Sequence, residues 1–250
     1  MDRIYWEQIS QHYAQEIFSV IAHDRRETIA RKIKALGGNN KTAADIGCGP
    51  GLATSLLVDH FDTVHACDWS PALLDQARTR ISDAPTVVFH DFNLAGSDAS
   101  PFAPVDFGLC LNVIISPDAE ERQRLWRNIT GLIAAQGTLL LVLPSHESAL
   151  FVGFRRMDWN LRAGLSGTEA EDQSLESSAA SAAREQGVRP IEGTPTKHFL
   201  KEEIEVQLRD HGFEQIHFTK LPYEWTTEFD NPPAWMGEPR PWHWLVEARR

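Results

Sequence analysis

Cysteine is scarce in this chain, with three in 250 residues, and the three do not make a framework. Cys48, Cys67 and Cys110 each sit at the end of an apolar, strand-like run. None has the paired spacing that holds a metal or staples a small secreted domain. They read as small buried residues kept reduced by their compartment. Long apolar runs are missing too. No stretch approaches the roughly 18 residues of a membrane span, and the charged start Met1-Asp2-Arg3 lacks the apolar heart of a signal peptide. A cytoplasmic protein with no membrane contact is expected. Positive charge is the third deficit: 24 Lys and Arg against 35 Asp and Glu leave a net charge of −11. With no basic cluster to neutralise phosphates, nucleic acid is not an expected partner.

What is present starts from length and pattern. A chain of 250 residues with 42% hydrophobic content is enough for one domain with a large core. Its densest motif is Asp45-Ile46-Gly47-Cys48-Gly49-Pro50-Gly51, set between an apolar stretch and a helical pattern. A dinucleotide loop needs G-x-G-x-x-G, the last glycine allowing close contact of helix and strand. Leu52 stands at that last position. Strand-like runs then alternate with helical ones. Thr63–Asp68 ends in a carboxylate, and Ser70-Pro71 opens a helix with a serine cap and a proline at the first helical position. Thr86–His90 ends in Asp91-Phe92, and Val105–Leu111 ends at Asn112. Leu125, Ile129, Leu132 and Ile133 mark an amphipathic helix, followed by the near-continuous apolar run Gly137–Leu143 of a strand buried on both faces. Asp106 reads as a structural acid before a buried strand.

Taken in order over residues 41–146, these motifs resemble the class I S-adenosylmethionine (SAM) methyltransferases, whose signature D/E-x-G-x-G-x-G matches Asp45 to Gly51. Trp69-Ser70-Pro71 and the residues after it resemble the family's D-x-S-P-x-x-L-x-x-A segment. The resemblance implies an α/β fold: a Rossmann-like, seven-stranded, mostly parallel sheet with an antiparallel last strand and helices on both faces. It implies SAM as cofactor and S-adenosylhomocysteine as product. Asp68 would bind the ribose hydroxyls, about 20 residues past the loop. Asp91 would accept from the adenine amino group, and Phe92 and Trp69 would belong to the same cofactor site. Gly47, Cys48, Gly49 and Gly51 would let backbone approach the cofactor, and Asn112 would lie near the methionine end. No metal is implied.

A single domain with four parts is expected: an N-terminal helical lid (1–40), the SAM-binding core (41–146), a substrate or lid insertion (147–213), and C-terminal strands with a tryptophan-rich loop (214–250). Tyr5, Trp6, Ile9, Tyr13, Ile17 and Ile21 recur at helical spacing, so Tyr13 is a cofactor candidate and Tyr5 and Trp6 are acceptor-pocket candidates, or all three are core. Phe151–Leu165 reads as a helix carrying Trp159. Residues 164–193 show no periodic apolar face and read as a mobile lid or disordered loop. Gln215–Leu221 and His243–Ala248 would be the last two strands, with Trp225, Trp235 and Trp242 hung over the pocket or covering the sheet edge.

The expected function is methyl transfer from SAM to a small acceptor at an undetermined O, N, S or C atom. His146 and His198 are the candidate bases, and His198, Trp159 and Trp225 the further pocket candidates; an acidic acceptor can equally ionise unaided. Two rival classes stay open. A non-catalytic SAM-binding regulatory protein would keep the loop and Asp68 with a filled acceptor pocket, and a nicotinamide-dependent oxidoreductase would need room for a pyrophosphate at Leu52. Oligomeric state is not legible.

Overall fold

The computed structural model describes residues 3–10, 19–38, 41–82, 84–174, 183, 185–191 and 193–250. Tyr13 and the helical pattern through Ile17 lie outside them. Seven strands build the main sheet: β1 (Thr42–Ile46), β2 (Thr63–Asp68), β3 (Val87–Asp91), β4 (Val105–Leu111), β5 (Ile133–Pro144), β8 (Gln215–Pro222) and β9 (Trp242–Arg249). A separate hairpin pairs β6 (Val188–Ile191) with β7 (Thr194–Lys197). The sheet order is β3-β2-β1-β4-β5-β9-β8, parallel from β3 to β5, with β9 antiparallel to both its neighbours. It is a Rossmann-like sheet, and its order reverses beside β1, where such folds bind ligands.

Burial on both faces explains the apolar run of β5. Leu139, Leu141 and Leu143 enter one core with Trp126, Ile129, Ile204 and Leu208, whereas Leu140 and Val142 enter the other with Ile29, Ile33 and Leu57. Asp106 ties the strand starts together, accepting from the backbone N–H and hydroxyl of Thr42 at 2.8 and 3.0 Å. The helix before β5 ends at Gly131, short of the expected Ile133, which instead opens the strand. Ile133 fills the space over Gly108, where a Cβ would stand 2.4 Å from its Cδ1.

Helix α1 (Arg3–Ile9) rests on α5 (Pro71–Arg80), between which lie α2 (Val20–His23), α3 (Thr28–Leu36) and α4 (Thr54–Leu57). Glu7 accepts from the Ser70 hydroxyl at 2.7 Å, and Gln76 donates to the Ser10 carbonyl at 2.9 Å. After β4 come α6 (Ala119–Gly131), α7 (His146–Arg162), α8 (Gly167–Ser174) and α9 (Lys201–Asp210).

The described residues of the segment 164–193, expected as a mobile lid or disordered loop, contain α8 and the first strand of the β6–β7 hairpin. A reciprocal cap starts α8: Ser166 Oγ accepts from Glu169 N at 3.3 Å, and the Glu169 carboxylate accepts from Ser166 N at 2.9 Å. One alanine, Ala170, buries the helix against α7, too little apolar content for periodicity to reveal. Residues 175–182, 184 and 192 lie outside the description.

The tryptophan-rich segment 223–241 leaves the sheet at the carboxyl ends of the parallel strands, as expected. Trp225, however, packs with Val152, Phe229 and Met236 in a satellite core and donates its indole N–H to the Gly237 carbonyl at 2.9 Å. Trp159 meets Phe229 edge-on at 5.7 Å. Trp242 and Trp244 belong to the main core, and Trp235 lies on the surface over Arg162.

Candidate cofactor site

The chain leaves β1 with Asp45 buried under the loop, where Thr54 Oγ1 donates to its carboxylate at 2.6 Å. Burial pushes this carboxyl up to about 7, against the lowering effect of the Thr54 hydrogen bond and with the help of Asp68. Glycine is required next. Gly47 has φ of 74°, and a Cβ there would meet Val113 Cγ2 at 2.4 Å. Gly51, at φ of 80°, lets the loop approach the backbone of Ala77 on α5.

The loop is fastened to the end of β2. The amides of Gly47 and Cys48 both donate to the Cys67 carbonyl, at 2.8 and 2.9 Å. Asp68 accepts from Gly49 N at 2.8 Å through one oxygen and from Ser70 N at 2.9 Å through the other. Burial raises the Asp68 carboxyl while these backbone donors oppose the rise. Cys48, Cys67 and Cys110 are buried free thiols, Cys67 pushed up to about 12 by burial.

A cavity opens beside this loop. Of the sequence candidates, Gly47, Asp68, Trp69, Phe92 and Asn112 line it, and Trp6 of α1 covers it. Asp45, Cys48, Gly49 and Gly51 shape the loop from behind. Asp91 does not line the cavity: its half-exposed carboxylate pairs with Arg3 at 3.2 Å. Tyr5 touches Thr194 Oγ1 at 3.3 Å, and with Trp159, Trp225, His146 and His198 it stands outside this cavity.

Sequence reasoning stopped at Asn112 and missed the wall beyond it. Ile115, Ser116, Glu121 and Leu125 line the cavity together with Leu94 and Ala95. The available signal was the helix start Asp118-x-x-Glu121, in which Glu121 N donates to Asp118 Oδ1 at 2.7 Å.

The residues fit a nucleoside cofactor. Asn112 lines the cavity in a left-handed conformation, and its buried Oδ1 has no protein donor, so it suits an incoming amino group. Outside the cavity, His198 Nδ1 lies 3.1 Å from the Thr196 carbonyl. A carbonyl only accepts, so that nitrogen carries the proton and Nε2 keeps its lone pair. Burial holds the His198 imidazole down to about 4, and burial followed by Arg189 and Lys197 lowers His146. Among the described residues no group of three His, Cys, Asp or Glu side chains is arranged for a metal, and no helix is long and apolar enough to cross a membrane.

Comparison with known proteins decides among nucleoside folds, because residues 44–139 match the family model of a methyltransferase domain. Over this stretch the chain is similar to a methyltransferase domain. A trans-aconitate 2-methyltransferase from Methylobacterium nodulans is 32% identical over 107 residues. The match takes in 41% of this chain, and the chain spans 40% of that relative's length. Among solved structures, the N-methyltransferase NodS from Bradyrhizobium japonicum WM9, in complex with S-adenosylhomocysteine, superposes with a TM-score of 0.64 at 12% identity, covering 100% of this chain and 99% of that one. Magnesium protoporphyrin IX methyltransferase from Synechocystis PCC 6803, with bound SAM, gives a TM-score of 0.59 at 14% identity over 99% and 94% of the two chains. A SAM-dependent methyltransferase from Methanosarcina mazei gives 0.59 at 17% identity over 88% and 96%. These likenesses show the methyltransferase domain's fold.

Proposed function

We propose that the chain binds SAM and transfers its methyl group to a small-molecule acceptor in the cytoplasm, without nucleic acid or membrane as partner. One observation carries the reading. Asp68 holds the glycine loop by accepting from Gly49 N and faces the same cavity as Gly47, Trp69 and Asn112. Leu52 at the third-glycine position favours this over a dinucleotide.

Asp68 would hold the ribose and Asn112 the amino acid end. Bound SAM would supply a methyl group already activated on a sulfonium. The chain's own work is then to exclude water and fix the acceptor in line. Trp6 closes the cavity from α1, and Tyr5, held at Thr194 of β7, joins that lid to the hairpin. Tyr13 stays proposed as a neighbour of the cofactor, and Trp159 and His198 as neighbours of the acceptor. His198, at about 4, is too weakly basic to take a proton efficiently near neutral pH, which leaves His146 or the acceptor's own acidity.

The test is incubation of the protein and SAM with a metabolite extract, read by mass spectrometry. S-adenosylhomocysteine together with an acceptor heavier by one methylene supports methyl transfer. Tight S-adenosylhomocysteine binding with no product in any extract would point to the regulatory reading instead.

A further inference from the structure

Two histidines meet at one edge of the main sheet. His65 of β2 and His90 of β3 lie on adjacent parallel strands, where His65 is registered with Val88 and Cys67 with His90, so the imidazoles are diagonal neighbours. Side chains alternate along a strand, and both rings face away from the layer in which Val87 and Phe89 pack with Leu74 of α5. His65 Nδ1 stands 3.0 Å from His90 Nε2. Phe102 sets the first ring: it stacks on His65 at 4.4 Å between centroids, 3° from parallel, and lies 5.0 Å from His90. Ser100 holds the turn that presents Phe102, its hydroxyl donating to the Phe102 carbonyl at 2.6 Å and accepting from Phe102 N at 3.3 Å.

Two imidazole nitrogens at this distance share one proton between two lone pairs, so the contact requires at least one ring to present an unprotonated nitrogen. Burial lowers both half-buried rings and favours their neutral form. Among the described residues no carboxylate acts on either of them. A metal ion at about 2.0–2.1 Å from each nitrogen, the usual bond length to imidazole, would see the two about 91–97° apart. That is the angle of neighbouring ligands in a tetragonal or octahedral site, which imidazole and water build around nickel(II) or copper(II).

We propose that His65 and His90 form a two-histidine chelate for a divalent late transition metal, nickel(II) or copper(II), through His65 Nδ1 and His90 Nε2, with water in the remaining positions. The ion takes the place of the shared proton. That proton leaves the facing nitrogen and solvent returns one to the outer nitrogen of the same ring, so His65 then carries its proton on Nε2 and His90 on Nδ1. His90 is the ring that pivots to aim its lone pair, because His65 lies flat on Phe102 and the two imidazoles are tilted by 42°. With two protein ligands the site exchanges its ion, in keeping with the lack of a three-ligand group among the described residues. Neither histidine lines the cofactor cavity, so the chelate stands independently of methyl transfer.

Titration calorimetry of the full chain, free of any affinity tag and stripped with a chelator, tests this with nickel(II) chloride on the parent, His65→Ala, His90→Ala and His217→Ala. His217 is an exposed histidine of β8, at the opposite edge of the sheet. The parent and His217→Ala should bind one nickel ion with equal affinity, whereas His65→Ala and His90→Ala should each weaken it at least about tenfold, the least that loss of even a supporting partner costs. Nickel affinity that either of those two variants leaves unchanged, or no binding by the parent, overturns the proposal. An alanine in a strand pair also alters packing, so the parent alone supplies a second reading by nuclear magnetic resonance. Substoichiometric nickel should shift or broaden the imidazole signals of His65 and His90 before those of the other histidines. Changes that begin elsewhere overturn the chelate and leave the pair as a structural hydrogen bond.

Discussion

Asp68 and Gly49 are joined across two elements: the carboxylate at the end of β2 accepts the amide hydrogen of the glycine loop at 2.8 Å. The same side chain faces the cavity, so one residue shapes the loop and offers a charge to a ligand. Asp68→Ala should lower S-adenosylhomocysteine affinity by at least about tenfold, since a hydrogen bond to a charged group is worth about 1.5–3 kcal/mol. The Gly49 amide should also exchange hydrogen faster. Unchanged affinity and exchange would separate Asp68 from both roles.

Asp45 carries a pH signature. Its folded carboxyl titrates near 7 against 3.8 when unfolded. Between those values the folded chain keeps a proton that the unfolded chain has released, so stability falls as pH rises through the window, by on the order of 4 kcal/mol. Asp45→Asn should flatten that slope, seen as a difference between the denaturant midpoints of variant and parent from pH 4 to 7. Parallel midpoint curves would mean that Asp45 is ionised under the loop.

The core was legible in sequence because its signals are local and dense. Asp45 to Gly51 needs left-handed backbone at fixed spacing, Ser70-Pro71 caps a helix, and Leu139 to Leu143 has the unbroken apolar pattern of a strand covered on both faces. The rest of the cavity lining was not, since Ser116 and Glu121 gain meaning only when the turn after β4 brings them to the same cavity as Leu94 and Ala95. Trp225 misled for a related reason. An aromatic in a loop near the site has no local mark that separates a pocket wall from a satellite core, and Val152 on α7 decided it. Helix α8 escaped because a single alanine carries its packing.

Trp225→Ala should accordingly destabilise the fold by about 3–5 kcal/mol, the cost of emptying a buried indole site. S-adenosylhomocysteine affinity should stay at the parent value. A thermally unchanged variant that loses methyl transfer would return Trp225 to the acceptor pocket.

Glu7 fastens α1 over the cavity through Ser70, whose hydroxyl also accepts from Leu73 N at 3.3 Å to cap α5. Glu7→Ala should cost about 1 kcal/mol at that helix start. Residues 3–10 should then exchange hydrogen faster, and S-adenosylhomocysteine should dissociate faster because Trp6 covers the cavity. Identical exchange in the variant would show that Glu7 does not hold the helix.

The most direct test of the whole account is titration calorimetry of the parent protein with S-adenosylhomocysteine and, separately, with NAD. The account predicts saturable one-to-one binding of S-adenosylhomocysteine and no measurable heat with NAD. Binding of NAD, or no binding of S-adenosylhomocysteine, would contradict it.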